Sequence, residues 1–280
     1  MNRRTRRRAK STLMVVVMTL AVVVAVLPLV FILGTLVVKG AGSLSATFFV
    51  AASAPAGQTG GGVGHAIVGT LVIVGMACLI GLPFGIGAGI YAAEYHGTRL
   101  AVGCRFVADV MSGTPSIVVG VFAWAWIVVR QGHFSAFAGS VALAMLMIPM
   151  VMRTTEEMIK LVPHSLREAA LALGYPRWRA TLTVVLRTAL PGIVSGTLLA
   201  VARIAGETAP LLFTALGSQY FSLDASRPMA ALPLVVFTYA TGPYQEWHRL
   251  AWATALVMIV VVLALSLAAR LATRQRYPRG

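Results

Sequence analysis

The sequence predicts an all-α, integral-membrane fold of six transmembrane helices. Three observations predict it: a composition too apolar for water, long uncharged runs of spanning length, and basic residues gathered on one side. Of the 280 residues, 58% are hydrophobic and only 11% charged, where an average soluble domain carries about a quarter charged residues. A chain so poor in polar surface needs lipid as a solvent. The formal net charge of +15 does not point to nucleic acid. The bases sit between uncharged stretches such as Leu13–Val38 and Leu250–Ala269 rather than on one exposed face.

The elements follow in order. Arg3, Arg4, Arg6, Arg7, Arg8 and Lys10 precede an apolar run from Ser11 to Val38, which outlasts the roughly 7–15 residues of a signal-peptide core. We read residues 12–38 as a retained first span. Residues 39–62 are a Gly/Ser/Ala-rich loop, including Gly60, Gly61 and Gly62, that needs no structure of its own. The further spans are expected at 63–93, 104–129, 134–152, 190–217 and 250–272, each near the ~20 residues that cross a bilayer. Gly81, Gly85, Gly89 and Ala93 share one face of the second, and Gly192, Gly196 and Ala200 one face of the fifth. Such small-residue faces are packing seams. Residues 153–189 are polar and periodic. Residues 218–249 hold Pro228, Pro233 and Pro243 and an apolar piece near 229–240 that is too short to span, so it lies at the interface or re-enters. The chain thus divides into 1–62 (basic N-terminus, first helix and loop), 63–273 (five helices, with a loop at 153–190) and a basic tail, 274–280.

Orientation follows from the bases. With the N-terminus inside, the inner segments hold the six N-terminal bases, Arg99, Arg105, Arg153, Lys160, Arg167, Arg177, Arg179, Arg187, Arg270, Arg274, Arg276 and Arg279. The outer loops hold Lys39, Arg130, Arg227 and Arg249. Eighteen against four puts both termini in the cytoplasm of a multi-pass inner-membrane protein.

Enzyme chemistry finds little here. Cys78 and Cys104 read as small hydrophobes, and His65, His96, His133, His164 and His248 are scattered, so no metal site is expected. There is no His-Glu-x-x-His and no Gly-x-Ser-x-Gly. Gly87-x-Gly89-x-x-Ala92 lies inside an apolar helix, without the strand that a dinucleotide fingerprint requires. No phosphate-binding loop is present either, so any ATPase that drives the chain is a separate polypeptide.

The inner loop carries more. Ser165-Leu-Arg-Glu168 has capping-box spacing, which predicts a helix from about Leu166. Gly174 followed by Pro176 predicts its end. A second short helix is expected from Pro176, with Trp178, Leu182 and Val185 on one side. Two amphipathic helices across this face suit docking against another protein. Glu168-Ala169-Ala170-x-x-x-Gly174, with Val184 and Leu186 downstream, resembles the EAA loop of bacterial ATP-binding-cassette importer permeases. Where that family places proline after the leucine, this chain has Arg187 and delays proline to Pro191. The resemblance implies that Glu168, Ala169, Ala170 and Gly174 couple to a cytoplasmic ATPase.

Arg203 and Glu207 stand in an otherwise apolar segment. An arginine in mid-bilayer costs about 2.5–3.5 kcal/mol on insertion scales, so it should face a partner or a watery cavity. On a continuous helix the two residues are one turn apart and pair, with a kink at Pro210. Two readings stand side by side: a staple between helices, or a fork of donors for a passing oxyanion, with Glu207 holding the fork.

Arg203-Ile-Ala-Gly-Glu207-Thr-Ala-Pro-Leu-Leu-Phe213 is similar to a stretch in the permease subunits of high-affinity phosphate importers. So are Ala88-Gly-Ile-Tyr-Ala-Ala-Glu94-Tyr95, Pro115-Ser-Ile-Val-Val-Gly120, Arg153-Thr-Thr-Glu156 and Leu161-Val-Pro-His-Ser-Leu-Arg-Glu168. That resemblance implies a type I ABC importer permease fold and a substrate pathway through Arg203, Glu207 and Thr208. It implies a sister permease, two copies of the ATPase, and a periplasmic or lipid-anchored phosphate-binding protein. It implies no cofactor in this chain, ATP and Mg²⁺ being held by the ATPase. Import of sulfate or molybdate and ion-gradient-driven secondary transport are the competing expectations.

Overall fold

The computed structural model describes residues 3–55, 58 and 60–274, which are helical with no strand among them. Arg276 and Arg279, expected in the basic tail, lie outside the described residues. Helix α1 (Arg3–Gly40) meets the rest of the chain near its end. There Leu36 is buried, Lys39 Nζ lies 5.0 Å from the ring of Trp252, and a Cβ on Gly40 would come 2.8 Å from the Trp252 carbonyl. From Leu13 to Ile32 its apolar residues stand exposed, a surface for lipid rather than water.

The described part of the loop at 39–62 is more ordered than its composition predicts. It forms a short helix, α2 (Ala46–Val50), whose Ser45 hydroxyl accepts from Phe48 N at 3.2 Å. Phe48 drops into a core with Val63, Ala66, Tyr239 and Ala251. The glycines make this possible: a Cβ on Gly62 would sit 2.5 Å from the Phe48 carbonyl oxygen.

Helix α3 (Gly64–Glu94) is next. Helices α4 (Arg99–Gly113) and α5 (Ser116–Gln131) stand where one straight third span was expected, bent by 106° from each other. Thr114 and Pro115 are extended at the bend, with ψ of 130° and 136°. Proline disfavours helical backbone at the residue before it. Helix α6 (Ala136–Lys160) runs past the end of the apolar run at 152. The bent pair links the two ends of α6: Arg105 Nε reaches Glu156 at 2.6 Å near one end, and the Ser135 hydroxyl donates to Gln131 Oε1 at 3.0 Å at the other. Counting it as one span gives six helices long and apolar enough to cross a membrane among the described residues.

Helices α3 and α6 run parallel with backbones in near contact. Cβ atoms on Gly81, Gly85 and Gly89 would lie 2.5, 2.9 and 2.6 Å from Met147 Cε, Val151 Cβ and the Met152 carbonyl oxygen. The expected seam is therefore real, and its third contact is to backbone that cannot move aside.

Helix α7 (His164–Ala172) begins at His164, and Pro163 at its N-cap provides no side-chain bond. The expected capping box does not form, because Ser165 falls inside the first turn rather than before it. The glycine stop does form: Gly174 has φ +85°, and Tyr175 N donates to Ala170 O at 3.2 Å, the closing bond of a Schellman turn.

The second amphipathic helix is the beginning of the fifth span. Helix α8 (Arg177–Ala205) is continuous, with one wide π turn at Thr181–Val185. It is antiparallel to α6, since Gly192 packs on Met158 and Gly196 on Thr154. It stops at Ala205 rather than near 217, and α9 (Ala209–Thr214) follows with Pro210 in its first turn. Pro210 opens a new helix instead of kinking an old one. Helix α10 (Leu232–Thr241) buries Leu232, Leu234, Val235 and Tyr239, and α11 (Gln245–Arg274) closes the bundle.

Candidate functional site: a broken helix and a charged end

Gly206, Glu207 and Thr208 interrupt the path from α8 to α9. Their backbone bonds turn inward on the preceding turn: Gly206 N donates to Arg203 O at 3.1 Å, and Glu207 N to Ile204 O at 3.2 Å. Thr208 caps α9 without using its hydroxyl. Arg203 sits in the last turn of α8. The register set by Gly192 on Met158 and Gly196 on Thr154 carries on to put it level with Met147, in the middle of α6.

Arg203 and Glu207 do meet, but loosely. Nε and Oε1 are 3.8 Å apart, and the two side chains are 65% and 21% exposed. A staple would need the pair sealed between helices; this guanidinium stands open on the chain's surface at mid-height. The floor beneath it is packed. Ile204 and Leu211 are buried with Leu143, Ala144 and Met147, and a Cβ on Gly120 of α5 would come 2.5 Å from Pro210 Cα. Arg203 therefore presents a fork of exposed donors, steadied on one side by the Glu207 carboxylate.

The other functional surface lies where α3 and α6 end. Glu168, Ala169 and Gly174 are exposed and Ala170 is buried, so the predicted coupling residues divide: one anchors α7 and three face outward. Around them stand Leu173 and Trp178, 79% and 64% exposed, with Leu166, Leu171 and Leu182. Arg179 lies over Tyr175 at 5.1 Å. These exposed apolar side chains, rimmed by bases, form a patch of the kind that suits contact with another protein.

Behind that face is a network that the sequence reading passed over as topological charge. The Glu156 side chain is only 2% exposed. It accepts from Arg105 Nε at 2.6 Å, Lys160 Nζ at 2.5 Å and Arg153 Nη1 at 3.3 Å. Arg153 also pairs with Asp109. Arg105 donates to the carbonyls of Ala92 at 2.5 Å and His96 at 3.2 Å, just where α3 runs out. Arg167 of α7 reaches Glu94 of α3 at 2.6 Å. The signal in the sequence was the run Arg153, Glu156, Lys160, spaced for one helix face.

At the opposite end a cavity of about 420 Å³ opens between Ser53, His65, Gln219, Tyr239 and Trp247. The Ser53 hydroxyl bridges Tyr239 and His65 Nε2, the latter at 3.2 Å. No sequence pattern announced it, since the three residues of this hydrogen-bonded bridge come from three separate segments.

Comparison with known proteins agrees with this architecture. Residues 85–278 match the family model of binding-protein-dependent transport system inner membrane components. The phosphate transport system permease protein PstA of Yersinia pestis is 46% identical over 94% of this chain and 90% of its own length. PstA 1 of Mycobacterium tuberculosis H37Rv is 40% identical over 97% of this chain and 91% of its own. Among solved structures, the MetNI methionine ABC transporter in an inward-facing conformation superposes with a TM-score of 0.61. That likeness has 20% identity and covers 77% of this chain and 94% of that one. A bacterial transporter importing the acidic polysaccharide alginate gives 0.58 at 14% identity, over 98% and 100% of the two chains.

Proposed function

The chain belongs to the family of binding-protein-dependent transport system inner membrane components, and we propose that it is the subunit through which inorganic phosphate crosses the membrane. The observation that carries the reading is Arg203, open at mid-height on a broken helix with Glu207 beside it. A guanidinium offers a tetrahedral oxyanion two parallel, charge-assisted bonds. The 3.8 Å gap to Glu207 is long enough for an entering phosphate oxygen to displace the carboxylate without a large loss. Glu207 keeps the fork oriented when no anion is present, and the Thr208 hydroxyl supplies a further donor at the break.

Energy enters at the end of the molecule where α3 and α6 terminate. The exposed Leu173–Trp178 patch with Glu168 and Ala169 is the seat of a separate ATPase that binds ATP and Mg²⁺. Two such ATPases serve this chain and a sister permease, which lines the other half of the pathway. A periplasmic or lipid-anchored binding protein delivers phosphate to the loops of the opposite end. Both termini are cytoplasmic, because the excess of bases lies on the ATPase side. The strongly similar PstA sequences favour phosphate over sulfate or molybdate.

The test is uptake of labelled phosphate by the reconstituted complex. Arg203→Gln lowers uptake about 100-fold, the ~3 kcal/mol of a hydrogen bond to a charged group, while the ATPase still co-purifies. Normal uptake by that variant refutes the pathway role. Equal competition by unlabelled sulfate refutes the substrate.

A further inference from the structure

We propose that the ion pair between Glu94 and Arg167 is the strut that carries movement of α7 into the transmembrane bundle, both residues acting as positioning residues. The inference rests on the reading of α7 as the ATPase's docking segment, and goes beyond it by naming the path.

Helix α7 is packed against the start of α8 and exposes most of its length. Its ion pair toward α3 is Arg167 Nη1 with Glu94 Oε1, 2.6 Å apart, with side chains 23% and 17% exposed. Glu94 is the final residue of α3. From Gly81 to Gly89 that helix is inlaid in α6 at backbone contact, so α3 cannot slide without α6. Two residues before Glu94, the Ala92 carbonyl takes a bond from Arg105, whose Nε holds Glu156 of α6. A force on Glu94 therefore meets α3, α4 and α6 clamped as one body. That body reaches the broken helix through the seam of Gly192 and Gly196 on α8. The chain of contacts from docking face to Arg203 is continuous.

The strut is also incomplete. Arg167 Nε and Glu94 Oε1 are both buried and make no hydrogen bond, so the two groups meet as a close charge contact whose N–H groups are not aligned on the carboxylate. An arginine fork has two parallel bonds to offer a carboxylate, and neither is aligned here. A small shift of α7 aligns or separates them, which gives the contact two discrete arrangements, the requirement for an element that transmits coupling.

The experiment uses the whole transporter in liposomes, with phosphate-loaded binding protein as the stimulus. Glu94→Gln and Arg167→Gln each leave basal ATP hydrolysis and co-purification of the ATPase unchanged, and cut the stimulated rate about tenfold, within the range of typical allosteric couplings. The loss falls on the maximal rate and not on the binding-protein concentration giving half of it. The exchanged pair, Glu94→Arg with Arg167→Glu, restores at least half of the stimulation, as a direct contact requires. Undiminished stimulation in the single variants overturns the inference, and so does an exchanged pair no better than either. If a glutamine variant fails to assemble, Arg167→Lys decides: it keeps the charge and loses the fork, so stimulation must still fall with assembly intact. Failure of the wild-type chain to bring down any ATPase would sink the docking reading itself, a separate result.

Discussion

Replacing Gly120 by alanine tests how closely the broken helix depends on the element behind it. The added Cβ would stand 2.5 Å from Pro210 Cα and 3.2 Å from both Pro210 Cβ and its carbonyl oxygen. Carbon atoms rest at about 3.5–4.0 Å, so α5 and α9 must part by roughly 1–1.5 Å. No flexible side-chain end can absorb this, because the nearest atom is backbone. Overpacking of this kind costs about 1–3 kcal/mol. Pro210 is three residues from Glu207, so part of the displacement reaches the carboxylate that orients Arg203. A misplacement of about 1 Å in a positioning element can cost roughly 100-fold in rate. The expected result is a complex that assembles, melts at a lower temperature in detergent, and transports phosphate 10- to 100-fold more slowly. Gly75→Ala is the control, since nothing lies within 4 Å of a Cβ there. If Gly120→Ala melts and transports like the unaltered chain, α5 does not brace the break and the packing argument is wrong.

Two further outcomes follow from the charged end. Glu156→Gln leaves Arg105 and Lys160 without their shared carboxylate. A wholly buried pair broken this way costs about 3–5 kcal/mol, and the partial exposure of the cations brings the expected loss to ~2 kcal/mol. Asp109→Asn, at a side chain 62% exposed, should cost less than about 0.5 kcal/mol; thermal unfolding of the two variants side by side checks the ranking. Gly174→Val forces a branched residue to φ +85°, at about 1–2 kcal/mol of strain, and misdirects the exit from α7. Less ATPase should co-purify while the chain still inserts, as measured by pull-down from solubilised membranes.

Hydropathy made the spans legible, because each helix that crosses lipid must be apolar along its length. It is blind to backbone. The bend at Thr114–Pro115 and the gap at Gly206–Thr208 both fall within runs of spanning length, so the third read as one span and the fifth as one helix kinked at Pro210. The proline at 115 was a signal in plain view; Pro210 was noticed, but proline serves equally at a kink and in a first turn. Ser165 and Glu168 show the reverse error. Their spacing is that of a capping box, yet the same spacing occurs inside any first turn, and only the position of Pro163 separates the cases. The site was half legible. Arg203 and Glu207 stood out as charges among apolar neighbours, whereas Arg105, Arg153 and Lys160 were hidden by having a ready explanation as orienting bases. Their acidic partner Glu156 is 51 residues from Arg105, beyond any local pattern.

The break at 206–208 points to water independently of the arginine. In hydrocarbon an unsatisfied backbone group costs several kcal/mol, so non-helical backbone survives at depth only when buried in protein or lining a wet cavity. Much of this break is satisfied internally, and the far end of α9 is tied down as well: Ser135 N donates to the Thr214 carbonyl at 3.0 Å. Glu207 and Thr208 remain on the open side, half-buried, with a carboxylate, a hydroxyl and the guanidinium of Arg203. Lipid would be a costly neighbour for all three. The proposed water-filled passage shared with a second subunit would be a cheap one, and would turn a defect in a helix into a place where an anion exchanges its hydration shell for protein donors.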